Sequence, residues 1–222
     1  ENERKAELDR QAGEMQAKVQ SLGEQSAALS DRVTRMQGER QQRDSRLKLL
    51  REMQRDYEGY NNSVKQVLLQ ARRQGDSSGV HGVVADLIHV PARLERAMDM
   101  VLGGALQNIV VNRDEDAKRM IEYLRANRFG RATFLPIKAV TAHGEFRNVD
   151  ALSEKGAIGL ASSLVEVEDE YRSVADYLLG RIVVCDNINN ALLIARKYKY
   201  SLIIVTLEGE LLNRGGSITG GA

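Results

Sequence analysis

Positions taken at alternating steps of four and three from Leu8 run Leu8, Ala12, Met15, Val19, Leu22, Ser26, Leu29, Val33, Met36, Arg40, Arg43, Leu47, Leu50, Gln54, Tyr57, Asn61, Val64 and Leu68. Most are apolar, and Glu, Gln, Arg, Lys and Asp fill the positions between them. A heptad register that never slips over this length predicts a coiled-coil arm, one helix over residues 1–74. Fully helical, such an arm reaches roughly 90–100 Å. The apolar stripe is narrow, so the helix needs a partner to be stable. Arg40, Arg43, Gln54 and Asn61 on the seam lower stability but fix register. Gly13, Gly23, Gly38 and Gly59 fall off the seam, each weakening the helix by about 1 kcal/mol relative to Ala. Residues 76–222 contain no second heptad segment, so the partner is expected to come from elsewhere in a longer chain or from another copy.

The pattern changes at the turn-rich stretch Gly75-Asp76-Ser77-Ser78-Gly79. VHGVVADLIHV (Val80–Val90) reads as a strand, and Pro91 opens a helix that Gly103-Gly104 stops. Asn108–Val111 is a short buried strand, Asp114–Asn127 an amphipathic helix, and Arg131–Pro136 a strand closed by proline. The order then recurs: Gly156–Leu160 as strand, Tyr171–Leu179 as helix, Arg181–Cys185 as strand, Asn189–Tyr198 as helix and Ser201–Thr206 as strand. The offset between halves is 73 at Ile109/Ile182 and 74 at Ala117/Ala191, which reads as an internal duplication. Helices between short apolar strands predict a mixed α/β layer architecture of two similar subdomains, about 79–142 and 156–222, in a domain over 75–222. His143-Gly144 to Lys155 is the expected connector. The chain closes on LEGELLNRGGSITGGA, with Gly209, Gly215, Gly216, Gly220 and Gly221. A stretch so poor in side chains is read as a backbone surface for close approach to another backbone.

Composition adds little globally, since the net charge is +1. Locally, Arg40, Arg43, Arg46, Lys48, Arg51, Arg55, Lys65, Arg72 and Arg73 outnumber Asp44, Glu52, Asp56 and Glu58. Lys65, Arg72 and Arg73 stand nearest the change of regime, where a phosphate backbone could lie. With aromatic residues at 5% and no base-reading motif, any nucleic-acid binding is expected to be independent of sequence. The single Cys185 excludes an intramolecular disulfide and a cysteine-rich metal site, including a zinc-hook apex, and it fits a reducing compartment. No apolar run reaches membrane-span length, and ENERKAELDR is not a signal peptide. The chain opens on Glu1, so it is read as a fragment of something longer.

No catalytic site emerges. There is no GxxxxGK[ST] loop and no GxGxxG fingerprint. Gly79–Gly82 and Gly156–Gly159 share a GxxG outline that reads as turn or strand-opening glycines rather than a phosphate cradle. His81, His89 and His143 are scattered, Cys185 ends an apolar strand, and Glu166, Glu168, Asp169 and Glu170 look like a solvated helix approach. No nucleophile, base and oxyanion donors assemble, and no catalytic or metal residues are assigned. The alternative weighed is a small-molecule-binding α/β domain on a coiled-coil oligomerisation stalk, which would need convergent polar groups in a cleft.

The heptad arm followed by GVHGVVADLI, LGGALQNIVV, FGRATFLP, YRSVADYLLG and IVTLEGELLNRGGSITGG resembles the hinge domain of bacterial structural-maintenance-of-chromosomes (SMC) proteins with its incoming arm. The resemblance covers 79–222 in order. It implies a hinge of two similar subdomains that forms a two-fold homodimer through two contacts, each joining the first half of one copy to the second half of the other. It also implies that the glycine-rich closing motif, here Gly215, Gly216, Gly220 and Gly221, lies at those contacts, and the role is extended to Gly103 and Gly104. The family's arm is an antiparallel coiled coil whose returning helix would begin after Ala222. Its ATPase heads, with ATP and Mg, are built from segments outside this chain, so this part is expected to need no cofactor and to be no enzyme. The remaining expectations are chromosome condensation and segregation as the function of the whole protein, a cytoplasmic, nucleoid-associated location, and non-specific single- or double-stranded DNA as a partner through Lys65, Arg72 and Arg73.

Overall fold

The computed structural model describes residues 2–55, 57, 59–141 and 146–221. Asp56 and Glu58 of the basic stretch, the side chains of Gln54 and Arg55, the His143-Gly144 start of the expected connector and Ala222 lie outside the described residues. Two compact units are present, Glu1–Glu58 and Gly59–Ala222.

The first unit is α1 (Asn2–Arg55). At 1.5 Å per residue it measures about 80 Å. Its apolar seam side chains are exposed, from 45% at Leu47 to 69% at Met15. Exposed ion pairs such as Arg40–Asp44 and Arg43–Glu39 run along its sides and add little stability.

The expected single helix over 1–74 is not what forms. Tyr57 (φ 53) and Gly59 (φ 97) are left-handed, and helix resumes only at α2 (Asn62–Gln74). The Asn61 N–H that a continuing helix would use donates instead to Gln107 Oε1 at 2.8 Å. Ser63, Val64, Val67 and Leu68 of α2 are buried within the second unit, where α2 packs on the helix Asp114–Asn127 and the strand Val80–Val83. Val64 and Leu68, expected on the arm seam, are therefore core residues. The compact globular unit begins at Gly59, although the sequence pattern puts the change of regime near Gly75.

The second unit continues β1 (Val80–Val83), α3 (Val84–Leu87), β2 (Ile88–His89), α4 (Glu95–Leu102), a 3-10 turn Gly103–Gln107, β3 (Ile109–Val111), α5 (Asp114–Asn127) and β4 (Phe134–Pro136). It then runs β5 (Ala157–Leu160), β6 (Glu166–Val167), α6 (Arg172–Leu179), β7 (Ile182–Cys185), α7 (Ile188–Lys197), β8 (Ile203–Thr206), β9 (Leu211–Leu212) and β10 (Ile218–Thr219). The strand expected over Val80–Val90 is broken by α3. Val83 and Val84 are both fully buried, and adjacent residues of one strand cannot both face one side. A helical turn, with Val84 N–H on Asn108 O at 3.0 Å, lets both point inward.

The duplication is present in the backbone. β1 pairs antiparallel to β3 with an irregularity between Val80 and Gly82, and β5 pairs antiparallel to β7 with one between Ala157 and Gly159. β3 and β4 are parallel, as are β7 and β8. Asn112 N–H bonds Gly79 O and Asp186 N–H bonds Gly156 O, each at 2.8 Å. The two GxxG outlines are thus equivalent strand openings: a Cβ on Gly79 would sit 2.4 Å from the Asp116 carboxyl, and one on Gly156 2.5 Å from Asn190 Cβ.

The halves are not independent. One core takes Val84, Leu94, Met98 and Val110 from the first and Val174, Leu179, Val184 and Val205 from the second. β2 and β6, one strand from each half, pair with each other. A second core under α7 gathers Val183, Cys185, Ile194, Ile204 and Leu212. The sheets differ in one respect: the first is β1-β3-β4, the second β10-β9-β8-β7-β5.

Candidate dimerisation and nucleic-acid surfaces

The closing glycine-rich stretch is a folded hairpin. Gly209 N–H bonds Thr206 O at 3.0 Å and Thr206 N–H bonds Glu210 O at 2.9 Å, turning the chain back. Gly209 (φ 91) passes close to α4, where a Cβ would lie 3.5 Å from Arg96 O. β9 then pairs antiparallel to β8, Val205 opposite Leu211, and Leu212 enters the core. The chain reverses again through Asn213–Ser217, with Gly216 N–H on Asn213 O at 3.1 Å and Asn213 N–H on Ser217 O at 2.9 Å. β10 pairs with β9, Ile218 opposite Leu212, and forms the edge of the sheet. Ile218 is 52% exposed. An apolar edge strand is a template for another strand.

The six glycines assigned from the resemblance fall into two sets. Gly103, Gly104, Gly215 and Gly221 have no heavy atom within 4 Å of where a Cβ would stand. Gly216 (φ 99) faces the Tyr200 ring, with a Cβ 3.5 Å from Cδ1, and a Cβ on Gly220 would meet Glu210 Cγ at 2.9 Å. Within the monomer Gly216 is thus required by its left-handed backbone rather than by space, and Gly220 by the approach of Glu210. Gly103 and Gly104 sit after α4 in the first half, and the other four on or beside the hairpin of the second. The sequence reading missed Ile218, whose edge position depends on a pairing that no local pattern announces, and Tyr200, whose neighbour Gly216 lies sixteen positions on.

Lys65, Arg72 and Arg73 all lie on α2. Lys65 is half-buried, and Arg72 and Arg73 are exposed in the last turn, where cations suit the helix dipole. Positions 65 and 72 share a helix side, with the buried Leu68 beside them at the three- and four-residue spacings and Val64 and Val67 further round. The neighbouring Arg119 is engaged by Asp116 Oδ1 at 2.6 Å and the Ser77 and Ser78 carbonyls.

Elsewhere, burial pushes the Cys185 thiol up to about 11, so it is an unreactive core residue. His81 is half-buried with Nδ1 3.0 Å from Tyr171 Oη, and His89 is exposed. Burial, then the Glu170 and Glu168 charges, raises the Tyr171 phenol above its ordinary value. Among the described residues no group of three or more His, Cys, Asp or Glu could hold a metal ion. No described helix is long and apolar enough to cross a membrane.

The family model for the SMC proteins Flexible Hinge Domain matches residues 77–195. The chromosome partition protein Smc of Halothermothrix orenii is 40% identical over 192 residues, covering 86% of this chain and 16% of that protein. Smc of Bacillus subtilis is 36% identical over 184 residues, 82% of this chain and 15% of that protein. The chain thus spans only about a sixth of the length of these relatives. Among solved structures, the asymmetric dimer of the Geobacillus stearothermophilus SMC hinge domain superposes with a TM-score of 0.73 at 39% identity, covering 82% of this chain and 74% of that one. The Pyrococcus furiosus SMC hinge domain gives 0.58 at 28% identity, over 77% and 84% of the two chains.

Proposed function

Because the chain belongs to the SMC hinge family, we propose that it is the homodimerisation hinge of a chromosome condensation and segregation ATPase, acting in the cytoplasm on the nucleoid. The observation that carries the reading is the inequality of the two sheets. β4 of the first half is the counterpart of β8 in the second, and among the described residues only β8 is followed by a hairpin, ending at the exposed edge β10. A β10 strand laid against β4 of a second copy extends the first sheet by strand addition. The reciprocal contact closes a two-fold ring and leaves neither edge free. Self-association is supported by the solved dimer of the Geobacillus stearothermophilus hinge.

The glycines give a clean test. Gly104 has ordinary backbone and open space beyond it, so Gly104→Glu adds bulk and charge without disturbing its own chain. Ile218→Glu places a charge on the edge strand. Both are expected to sediment as monomers with an unchanged far-UV circular dichroism spectrum, and to melt at a temperature that no longer depends on protein concentration. If both remain dimeric at micromolar concentration, the contact lies elsewhere. Gly216→Glu and Gly220→Glu are poorer probes, because Gly216 is left-handed (φ 99) and a Cβ on Gly220 would press on Glu210 Cγ at 2.9 Å inside the monomer.

DNA binding is assigned to Lys65, Arg72 and Arg73 through phosphate contacts, hence without sequence preference. Changing all three to Glu should weaken binding to any duplex or single strand and flatten its salt dependence. Unchanged anisotropy titrations at low salt would reject α2 as the site. The exposed seam of α1 is read as the surface for the returning arm helix of a longer chain. ATP and Mg belong to head regions of the whole protein, and this part carries no catalysis.

A further inference from the structure

Both halves end their second, longer helix with the same hydrogen bonds. After α5, Phe129 N–H donates to Leu124 O at 3.1 Å and Arg128 N–H to Arg125 O at 3.2 Å. After α7, Tyr200 N–H donates to Ala195 O at 2.7 Å and Lys199 N–H to Arg196 O at 3.0 Å. Each is a Schellman closure, which requires one left-handed residue. Arg128 (φ 57) and Lys199 (φ 53) supply it.

The halves part at the next position. Phe129 is not left-handed, and its carbonyl accepts from Asn62 Nδ2 at 3.4 Å, on α2. Tyr200 is left-handed as well, φ 54. A second consecutive left-handed residue with a large side chain is unfavourable, and the helix closure does not need it. What it accompanies is a hold on the closing hairpin. Tyr200 O accepts from Gly215 N–H at 3.0 Å, and the Tyr200 ring lies against Gly216, where any Cβ would be 3.5 Å from Cδ1. Among its described residues the first half has neither the second left-handed residue nor a hairpin after β4.

We infer that Tyr200 is a positioning residue for the β9–β10 hairpin: its carbonyl and ring fix the Asn213–Ser217 turn, and so set the pose in which β10 is offered to a second copy of the chain. The hold on the turn stands on contacts within one chain; its consequence for dimerisation rests on the edge pairing proposed above.

The test uses the whole 222-residue chain with Tyr200→Ala and Tyr200→Phe. Amide exchange at Gly215 and the dimer Kd by sedimentation equilibrium are read together, with near-UV circular dichroism confirming a cooperative fold. Phe keeps the ring and should leave both quantities within about twofold of the parent. If Ala leaves the turn in the docking pose a tenth of the time, the apparent Kd rises about a hundredfold, since both copies must offer their hairpins, and Gly215 exchange approaches the unprotected rate. Unchanged exchange in Tyr200→Ala overturns the hold. Loss of both in Tyr200→Phe overturns the role of the ring. Faster exchange with an unchanged Kd overturns the positioning role in dimerisation and counts against the β10–β4 pairing; a parent chain that is monomeric sinks the dimer reading alone, since the exchange result still decides the hold.

Discussion

Leu68→Ala separates two accounts of α2. If α2 were the last stretch of a coiled-coil arm, removing Leu68 would leave the globular unit untouched. In the structure Leu68 is 5% exposed and its neighbour Val67 0%, both packed inside the Gly59–Ala222 unit. Three carbons leave the core, worth about 2.4 kcal/mol at about 0.8 kcal/mol each. The cavity left behind adds to this, and the better helix propensity of Ala offsets a few tenths, so the net loss is about 3 kcal/mol. For a unit of this size that lowers the melting temperature by about 6–12 °C. The assay is urea unfolding read by tyrosine near-UV circular dichroism. There is no tryptophan, and among the tyrosines only Tyr57 lies outside the second unit. Leu50→Ala is the control, since Leu50 is 52% exposed on α1, and it should move the midpoint by no more than about 0.5 kcal/mol equivalent. If Leu68→Ala shifts the tyrosine transition no further than Leu50→Ala, α2 does not belong to the globular core.

Gly79→Ala and Gly156→Ala should each destabilise by about 3 kcal/mol, combining a left-handed backbone with displacement of a hydrogen-bonded side chain; Asp116 in the first case and Asn190 in the second stand within 2.5 Å of the new Cβ. Urea midpoints that match those of Gly104→Ala, where space is open, would contradict this. Cys185 should resist iodoacetamide at about pH 8, because it is fully buried and its thiol is raised to about 11; labelling as fast as in urea-unfolded chain would refute the assignment. Lys197 Nζ donates to Glu154, and this bond is the leading cause that holds the Glu154 carboxyl below its ordinary value and raises Lys197. A depressed carboxylate stabilises above its unfolded pKa and loses that contribution as pH falls through the folded one; a raised lysine stabilises below its unfolded pKa and loses it as pH rises. Lys197→Met should therefore flatten the fall in melting temperature between about pH 6 and about pH 3, and an unchanged slope would show the pair contributes nothing.

The parts of the fold legible in the sequence are those with a clear period and local punctuation. Asp114–Asn127 forms over its expected span because Asp114, Glu115 and Asp116 fill its first turn while Ala117, Met120 and Leu124 face the core. The duplication was legible because strands β3 and β7 keep their apolar runs, and β7 is buried along its whole length. The break before α2 was not legible for a physical reason. Over two turns a 3.5-residue seam and a 3.6-residue core face select the same positions, so Val64 and Leu68 satisfy an arm partner and a globular core equally well. Only Gly59 hinted otherwise, and the earlier glycines Gly13, Gly23 and Gly38 lie inside an unbroken α1.

The glycines show the same limit from the other side. Composition marks all six as backbone without side chains but cannot say what that backbone approaches. Gly216 needs glycine for its left-handed backbone (φ 99) and Gly220 because Glu210 of its own chain comes near, whereas Gly103, Gly104, Gly215 and Gly221 leave open space. Gly103, Gly215 and Gly221 already need glycine for their positive φ (44, 83 and 97), so only Gly104 is left for a second copy to explain. Nor does Lys199-Tyr200 announce a left-handed pair, since both residues disfavour it; Lys199 serves the local helix closure, and the contacts that go with left-handed Tyr200 are to a hairpin more than ten residues later. Under the proposed pairing this is where a duplicated domain must depart from its repeat. Two identical halves would present two identical edges, β4 and β8, and nothing would specify which meets which. Adding β9 and β10 to one half alone makes the edges unlike, so that each is matched by the other half of a second copy. The strained residue at the root of the added hairpin then fixes the one feature on which that asymmetry depends, which is why the exchange rate of Gly215 and the dimer affinity should move together.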